Sequence, residues 1–556
     1  MSVLQTYNGI DTIATLRLWK EAIRPQLEKH PAAARAYSFS KYLSAPLMYM
    51  MTRGILIDEE VIGPLRNQFE KENAALEAMA DYITKSLGMG VINFASSPHI
   101  IWMLECLGVQ VPMKRTKDGQ SKSVSRDKLE EVCKSDPDLA PLINLILAWR
   151  DRAKMLSILK PELYDYDMRM RTSYKVAGTV TDRLSSSKNV LWTGMNMQNI
   201  KRDEDEEKAG HASIRSIFTA DPGKKFLNVD LKGADSWGVG LEVFKATGDP
   251  SYLNACGSRD LHTHVAKLVW PNRPWTGDWS HDKALAEEFF YRQYDYRFMC
   301  KKGGHGSNYL GKPWTLANQM KIPVAVATVF QNKYFREFRG IPSWHKIKAK
   351  ELQTTGTLTN LFGRVRHFHD RLDADGTLRE AIGWLGQSCT AGVTNRAMLR
   401  VWALQIQMPW LELEILAQVH DSLLIQFNPA YEAEVIELVL TAMSIPITVT
   451  SPTGETRTVS IPLEPSVGWN WAKRHKSKET GQVHNLDGLV EIKPGMSDDR
   501  VRDRYPTVKK PGIVDQRLSG IHRLASIPKD FQEVGGDLDD WSLSGEESLG
   551  DYSEAA

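Results

Sequence analysis

The stretch "YRFMCKKGGHGSNYLG", Tyr296–Gly311, spaces Arg297, Lys301, His305 and Tyr309 four residues apart. On an α-helix each such step returns to nearly the same face, drifting by about 40°. The four side chains therefore predict one helical stripe, cationic at its start and aromatic at its end. Gly303, Gly304 and Gly306 interrupt it, although glycine costs about 1 kcal/mol relative to alanine inside a helix. Their presence predicts either a flat group approaching the backbone or a helix that pivots.

Working outward, two apolar runs end at an acidic residue. "KKFLNVDL", Lys224–Leu231, reads as a strand closing near Asp230. "EILAQVHDSLLIQF", Glu414–Phe427, reads as a hairpin whose tight turn, His420-Asp421-Ser422, carries an aspartate. Two carboxylates at neighbouring strand ends suit hard divalent cations, which prefer oxygen ligands. A metal pair about 3.5–4 Å apart stabilises both the entering and the leaving oxygen of an in-line phosphoryl displacement. Taken singly, each aspartate is an ordinary turn residue; the stripe of cations is what makes the pair informative.

Farther out, residues 59–85 show helical spacing of Leu65, Phe69, Leu76, Met79 and Ile83. "LEEVCKSDPDLAPLINLILAWRDRAKMLSIL" reads as two helices interrupted at Asp136-Pro137. The 556 residues allow several domains. No apolar run is long enough to span a bilayer, so no membrane partner is expected. The five cysteines, Cys106, Cys133, Cys256, Cys300 and Cys389, form no C-x-x-C pair, which excludes a zinc or disulfide framework and reads as cytoplasmic. The net charge is +2, but Asp530–Ala556 holds nine acidic residues and no Lys or Arg. Without that tail, residues 1–529 carry +11, which favours a polyanionic partner. The tail itself reads as disordered, serving as a solubilising segment or as an interaction arm that competes for the basic body.

The ordered motifs resemble those of family A DNA polymerases, the class of bacterial repair polymerases and many phage replicases. "VDLKGADSWGVGLEVFKATGDP" with "DLHTHVA" is similar to the first palm motif, "RFMCKKGGHGSNYLG" to the fingers helix and "QVHDSLL" to the last palm motif. "TDRLSSSKNVLWTGMNMQNI" resembles the T-G-R-L-S-S…N-L-Q-N-I segment, and "REAIGWLGQSCTAG" the template-contact helix. They run in the expected order from about Arg53 to Trp471.

The resemblance implies an α/β right-hand polymerase with an antiparallel palm sheet and helical fingers and thumb. The segments expected are 1–45 as an exonuclease remnant and connecting helix, 46–165 as thumb, and 166–242 as the first part of the palm. Fingers follow at 243–372, the second part of the palm at 373–477, and an extension at 478–556, largely disordered at its acidic end. It implies two Mg²⁺ ions, with Mn²⁺ as a substitute, held by Asp230, Asp421 and the Leu231 carbonyl. Arg297, Lys301, His305, Tyr309, Asp235 and His262 become dNTP contacts, Lys301 also donating a proton to the leaving group. Arg183, Gln198, Asn199, Arg379, Gln387 and His420 become contacts to primer–template DNA.

Departures from the pattern matter. Asp235 stands where the family has a glutamate that blocks a ribose 2′-hydroxyl, so weaker rejection of ribonucleotides is expected. His305 replaces phenylalanine or tyrosine, Asp182 a glycine and Ser422 a glutamate, which suits a divergent, phage-like branch. Near the start, "YNGID" (Tyr7, Asp11) resembles the third motif of the family's 3′–5′ exonuclease, whose other carboxylates are not present. Proofreading is then absent or supplied by a separate polypeptide; a processivity partner is unspecified. Two other readings remain: a single-subunit RNA polymerase or primase-like enzyme, and a DNA-binding protein without catalysis. The "DRLSSS…NMQNI" segment and the carboxylate at Asp235 favour DNA synthesis over the first. Intact Asp230, Asp421, Arg297 and Lys301 oppose the second, since binding alone needs no carboxylates facing phosphates.

Overall fold

The computed structural model describes residues 3–116, 119–189, 193–200, 213–291, 294–476 and 481–504. The acidic tail expected from Asp530 lies outside the described residues.

Alternation builds the centre of the molecule. In the strand Lys225–Leu231, Leu227, Val229 and Leu231 are buried while Asn228 and Asp230 are half-buried on the opposite face, as the two-residue period of a strand requires. The hairpin Glu414–Val419 and Ser422–Phe427 flanks it on one side and Leu463–Gly468 on the other, all antiparallel. The short strand Val490–Glu491 then adds a fifth member at the far edge. The hairpin turn is the two residues His420 and Asp421, with Ser422 already in the second strand. His420 takes a left-handed φ of 56° there.

Helices cover one face of this sheet. Ala234–Thr247 starts just past the central strand, after Gly233 at φ 63°, a conformation glycine adopts freely. It packs on the 33-residue helix Asp375–Gln407. The fingers stripe is a helix, Tyr296–Asn308, capped by the Asp295 carboxylate, which accepts from the Phe298 N–H at 2.5 Å. Its glycines answer to the first expectation from the sequence, a flat group close to the backbone. Gly303 and Gly304 are buried against the helix Val324–Glu337. A β-carbon on Gly303 would sit 2.9 Å from Cδ1 of Phe330, and one on Gly304 3.3 Å from Tyr334. The flat groups at the backbone are therefore the protein's own rings, and the glycines serve close helix packing.

Residues 46–165 contain the long helix Glu59–Ser86, the helices Ser97–Cys106, Arg126–Ser135 and Ala140–Ile158, and a hairpin at 113–122 that the periodicity did not announce. Their outer part has its own core around Ile100, Met103, Leu104, Leu129 and Ile143. Met79, assigned to the apolar stripe, is exposed, whereas Ala80 is buried. Counting about 100° per residue from buried Phe69, position 79 falls about 80° off the stripe and position 80 only about 20°.

The N-terminal helix Val3–Arg17 buries no residue, and Tyr7 is exposed on it. At the other end, the extension that begins at residue 478 returns to the central sheet through residues 481–504. Lys225 is fully buried and pairs with Glu432 at 2.7 Å and with Asp498 of the extension at 3.0 Å. A buried ammonium demands such partners, and composition alone does not reveal a partner so far along the chain. Among the described residues, no helix is long and apolar enough to cross a membrane.

Candidate active site

Register brings the two aspartates together. Ser422 and Glu464 flank Asp230 as cross-strand partners, and the Leu231 N–H donates to the Asp421 carbonyl at 3.2 Å. Asp421 thus begins where Asp230 ends, and both line one cleft of about 510 Å³. The same cleft is lined by Arg297, Lys301 and His305 of the helix Tyr296–Asn308, and by Asp235, Leu231 and His262. Three of the four members of the stripe read from four-residue spacing thus share a cleft with the carboxylates.

The fourth turns elsewhere. Tyr309 is absent from the cleft lining; its ring meets His305 edge-on at 4.8 Å and leans on the helix Asp375–Gln407. A β-carbon on Gly386 would come 2.6 Å from its hydroxyl, which has no hydrogen-bond partner among the described residues. Burial pushes the Tyr309 phenol well above its usual range.

Arg297 is held by a group absent from the candidate residues read in sequence. Its Nε and Nη2 donate to Asp260 at 2.9 and 2.8 Å, a two-pronged geometry that fixes the guanidinium. Asp260 also caps the helix Leu261–Val269, accepting from the Thr263 N–H at 2.9 Å. Burial works against its ionisation, yet Arg297 and Thr263 hold its pKa well below the carboxylate range. Burial pushes His262 down to about 4, so near pH 7 it is neutral and can donate without adding charge.

Asp235 is likewise pinned. Arg183 donates to it at 3.0 Å and Thr390, from the long helix, at 2.9 Å. Arg183 therefore lies beside the cleft although it is not in its lining. Asp182, the residue before it, has φ 66°, which gives a backbone reason for glycine at this place and shows why aspartate is tolerated. The hairpin turn rests on Gln418, whose amide donates to the His420 carbonyl and whose backbone N–H donates to Tyr174 at 3.1 Å. Gln198 donates to the Gln418 side chain at 3.2 Å. Asn199 is exposed nearby in sequence, Gln387 is half-buried and Arg379 exposed on the long helix. Tyr7 and Asp11, on the N-terminal helix, do not line the cleft.

Sequence reading quoted Asp260, Gln418 and Thr390 within motifs without giving them a role, and passed over Glu464. Glu464 had a usable signal, since it alternates with buried residues in a strand. The others act through partners far away in the chain.

Could this site hold metal? Asp230 and Asp421 offer hard oxygen donors at adjacent strand ends, facing cations suited to phosphates, which fits Mg²⁺ completed by substrate oxygens and water. Among the described residues no cluster of three or more His, Cys, Asp or Glu side chains is arranged to hold an ion unaided.

A five-stranded antiparallel sheet carrying paired aspartates beneath a cationic helix, with a helical arm bearing its own core, defines a right-hand polymerase fold. Residues 60–473 match the sequence profile of DNA polymerase family A, and the chain belongs to that family. It is similar to "DNA polymerase I" of Rhizobium leguminosarum, 26% identical over 84% of this chain and 43% of the relative. The Pseudomonas aeruginosa "DNA polymerase I" is 25% identical over 84% of this chain and 47% of the relative. The chain spans less than half the length of either curated relative. Among solved structures, the "POL domain of Pol1 from M. smegmatis complex with DNA primer-template and dNTP" superposes with a TM-score of 0.62 at 21% identity, covering 77% of this chain and 69% of that one.

Proposed function

We propose that this chain is a DNA-templated DNA polymerase that joins dNTPs to a primer 3′ end, releasing pyrophosphate. The observation that carries the reading is one cleft lined by Asp230 and Asp421 together with Arg297 and Lys301. Asp230, Asp421 and the Leu231 carbonyl would hold two Mg²⁺ ions. When bound, such ions lower the pKa of the attacking hydroxyl and neutralise charge on the phosphate oxygens.

The chain's own groups do the rest. Arg297 and Lys301 bind the triphosphate; the Asp260 pair occupies Nε and Nη2 of Arg297 and leaves Nη1 for a phosphate oxygen. Fixed cations of this kind gain value as charge builds on the leaving group, because they need no reorganisation. Lys301 gives the departing pyrophosphate its proton, neutral His262 donates a hydrogen bond, and His305 with Asp235 borders the sugar. Arg183, Gln198, Asn199, Arg379, Gln387 and His420 contact the primer–template near the new pair. The minor groove presents acceptors at every correct pair, so donors there test geometry without reading sequence. The departures at Asp235, His305 and Ser422 suit a phage replication enzyme working with a separate exonuclease chain.

A labelled primer–template incubated with Mg²⁺ and dNTPs, NTPs or neither tests this. Extension with dNTPs supports it; extension with NTPs alone makes the chain an RNA polymerase, and tight binding without extension makes it a DNA-binding protein.

A further inference from the structure

A second cleft, of about 600 Å³, opens on the other side of Asp230 and shares both Asp230 and Glu464 with the first. The segment that follows the family-matched region builds it. Past residue 473 the chain runs parallel to its own return strand, the Arg474 N–H donating to the Leu489 carbonyl at 3.0 Å. His475–Lys476 then pairs with Val483–His484, the two histidine rings stacked 5.0 Å apart. Val490–Glu491 completes the turn as the edge strand on Leu463–Gly468. The four consecutive residues Lys473–Lys476 all line the cleft.

Its chemistry is divided. Asp230, Glu464 and Glu491 share the open face of the sheet by register, whereas the cations come from the added segment. Arg474 and Lys476 are exposed, whereas Glu464 pairs with Lys232 at 3.0 Å. Two clefts that meet at Asp230 and Glu464 also set a direction. With a nucleoside triphosphate in the first, the attacking hydroxyl must reach its α-phosphate beside Asp230, so the strand carrying that hydroxyl arrives from the other side.

We propose that Arg474 and Lys476 in this second cleft bind backbone phosphates of the growing strand next to its 3′ end. The inference rests on the polymerase reading and assigns a nucleic-acid contact to residues beyond the family-matched region. The test compares the full chain with its Arg474→Gln/Lys476→Gln variant, both side chains being exposed. Primer–template affinity is measured by fluorescence anisotropy across a salt series. Each lost phosphate contact lowers the magnitude of the slope of log K against log salt by about 0.9. The variant is expected to bind about 3- to 30-fold more weakly at moderate salt, with a slope about 1–2 units shallower. Duplexes neutralised with methylphosphonates in the primer strand should reproduce the variant's slope with the parent protein; those neutralised in the template strand should not. An unchanged affinity and slope, or a response to template-strand neutralisation alone, overturns the proposal. A parent that binds through this cleft but extends no primer overturns the polymerase reading instead.

Discussion

Asp230 and Asp421 are joined through the backbone: the N–H of Leu231 donates to the carbonyl of Asp421 at 3.2 Å. That bond, with the Ser422–Asp230 register, fixes the spacing of the carboxylates by sheet geometry and leaves little to side-chain choice. Asp230→Ala and Asp421→Ala should therefore leave the sheet intact while removing the metal-holding oxygens. Each is expected to cut single-nucleotide incorporation by at least on the order of 10²–10³, the scale seen when one electrostatic stabiliser is lost. Circular dichroism and primer–template binding should stay near the parent's. Full-speed incorporation by either variant would remove both aspartates from the chemistry.

Gly303 tests whether the fingers glycines serve packing or motion. Alanine would recover about 1 kcal/mol of helix propensity, yet its methyl would overlap the Phe330 ring. Overpacking of this kind costs about 1–3 kcal/mol, so Gly303→Ala should lower the unfolding midpoint. Pairing it with Phe330→Leu should return part of the loss, because the two positions touch. A Gly303→Ala protein as stable as the parent would mean that the neighbouring helix moves aside freely.

The catalytic strand, the hairpin and the cationic stripe were legible because each obeys a short period, two or four residues. Asp230, Asp421, Arg297, Lys301 and His305 meet as those periods require. What escaped depends on residues distant in the chain. Asp260 heads the quoted "DLHTHVA", yet it lies 37 positions before Arg297, and nothing local reveals that pairing. Asp498 reaches Lys225 from an extension whose weak apolar pattern resembles disorder, although one buried ion pair and one edge strand anchor it. Tyr309 shared the stripe's spacing but stands at the helix end, where φ −105° and ψ 36° leave the helical track. Four-residue counting fails where the helix stops.

Glu242 predicts a pH dependence that the reaction does not use. It is buried in the helix Ala234–Thr247, and neither carboxylate oxygen has a hydrogen-bond partner among the described residues. Burial pushes its pKa up to about 7, with Lys348 and Lys245 pulling the other way. The folded state therefore binds this proton more tightly than the unfolded one, so stability falls as pH rises from the ordinary glutamate value to about 7. The accumulated cost is on the order of 3 kcal/mol. Glu242→Gln should match the parent in thermal unfolding near pH 5 and exceed it near pH 8. Equal differences at both pH values would show that Glu242 does not titrate there.

Asp235 bears on sugar choice. Its Oδ1 accepts from both Arg183 at 3.0 Å and Thr390 at 2.9 Å, which holds it back from the space above the nucleotide. A glutamate at this position is one methylene longer and would bring its carboxylate closer to a 2′-hydroxyl while still reaching Arg183. Asp235→Glu is therefore expected to raise discrimination against ribonucleotides, by roughly 10-fold for about 1.4 kcal/mol of added repulsion. The measurement is the ratio of kcat/KM for dNTP and NTP on one primer–template. Thr390→Val separates the two partners: it removes one of the two hydrogen bonds that hold the carboxylate back and should shift discrimination in the same direction, by less. If neither substitution moves the ratio, the 2′-position is not read by this carboxylate.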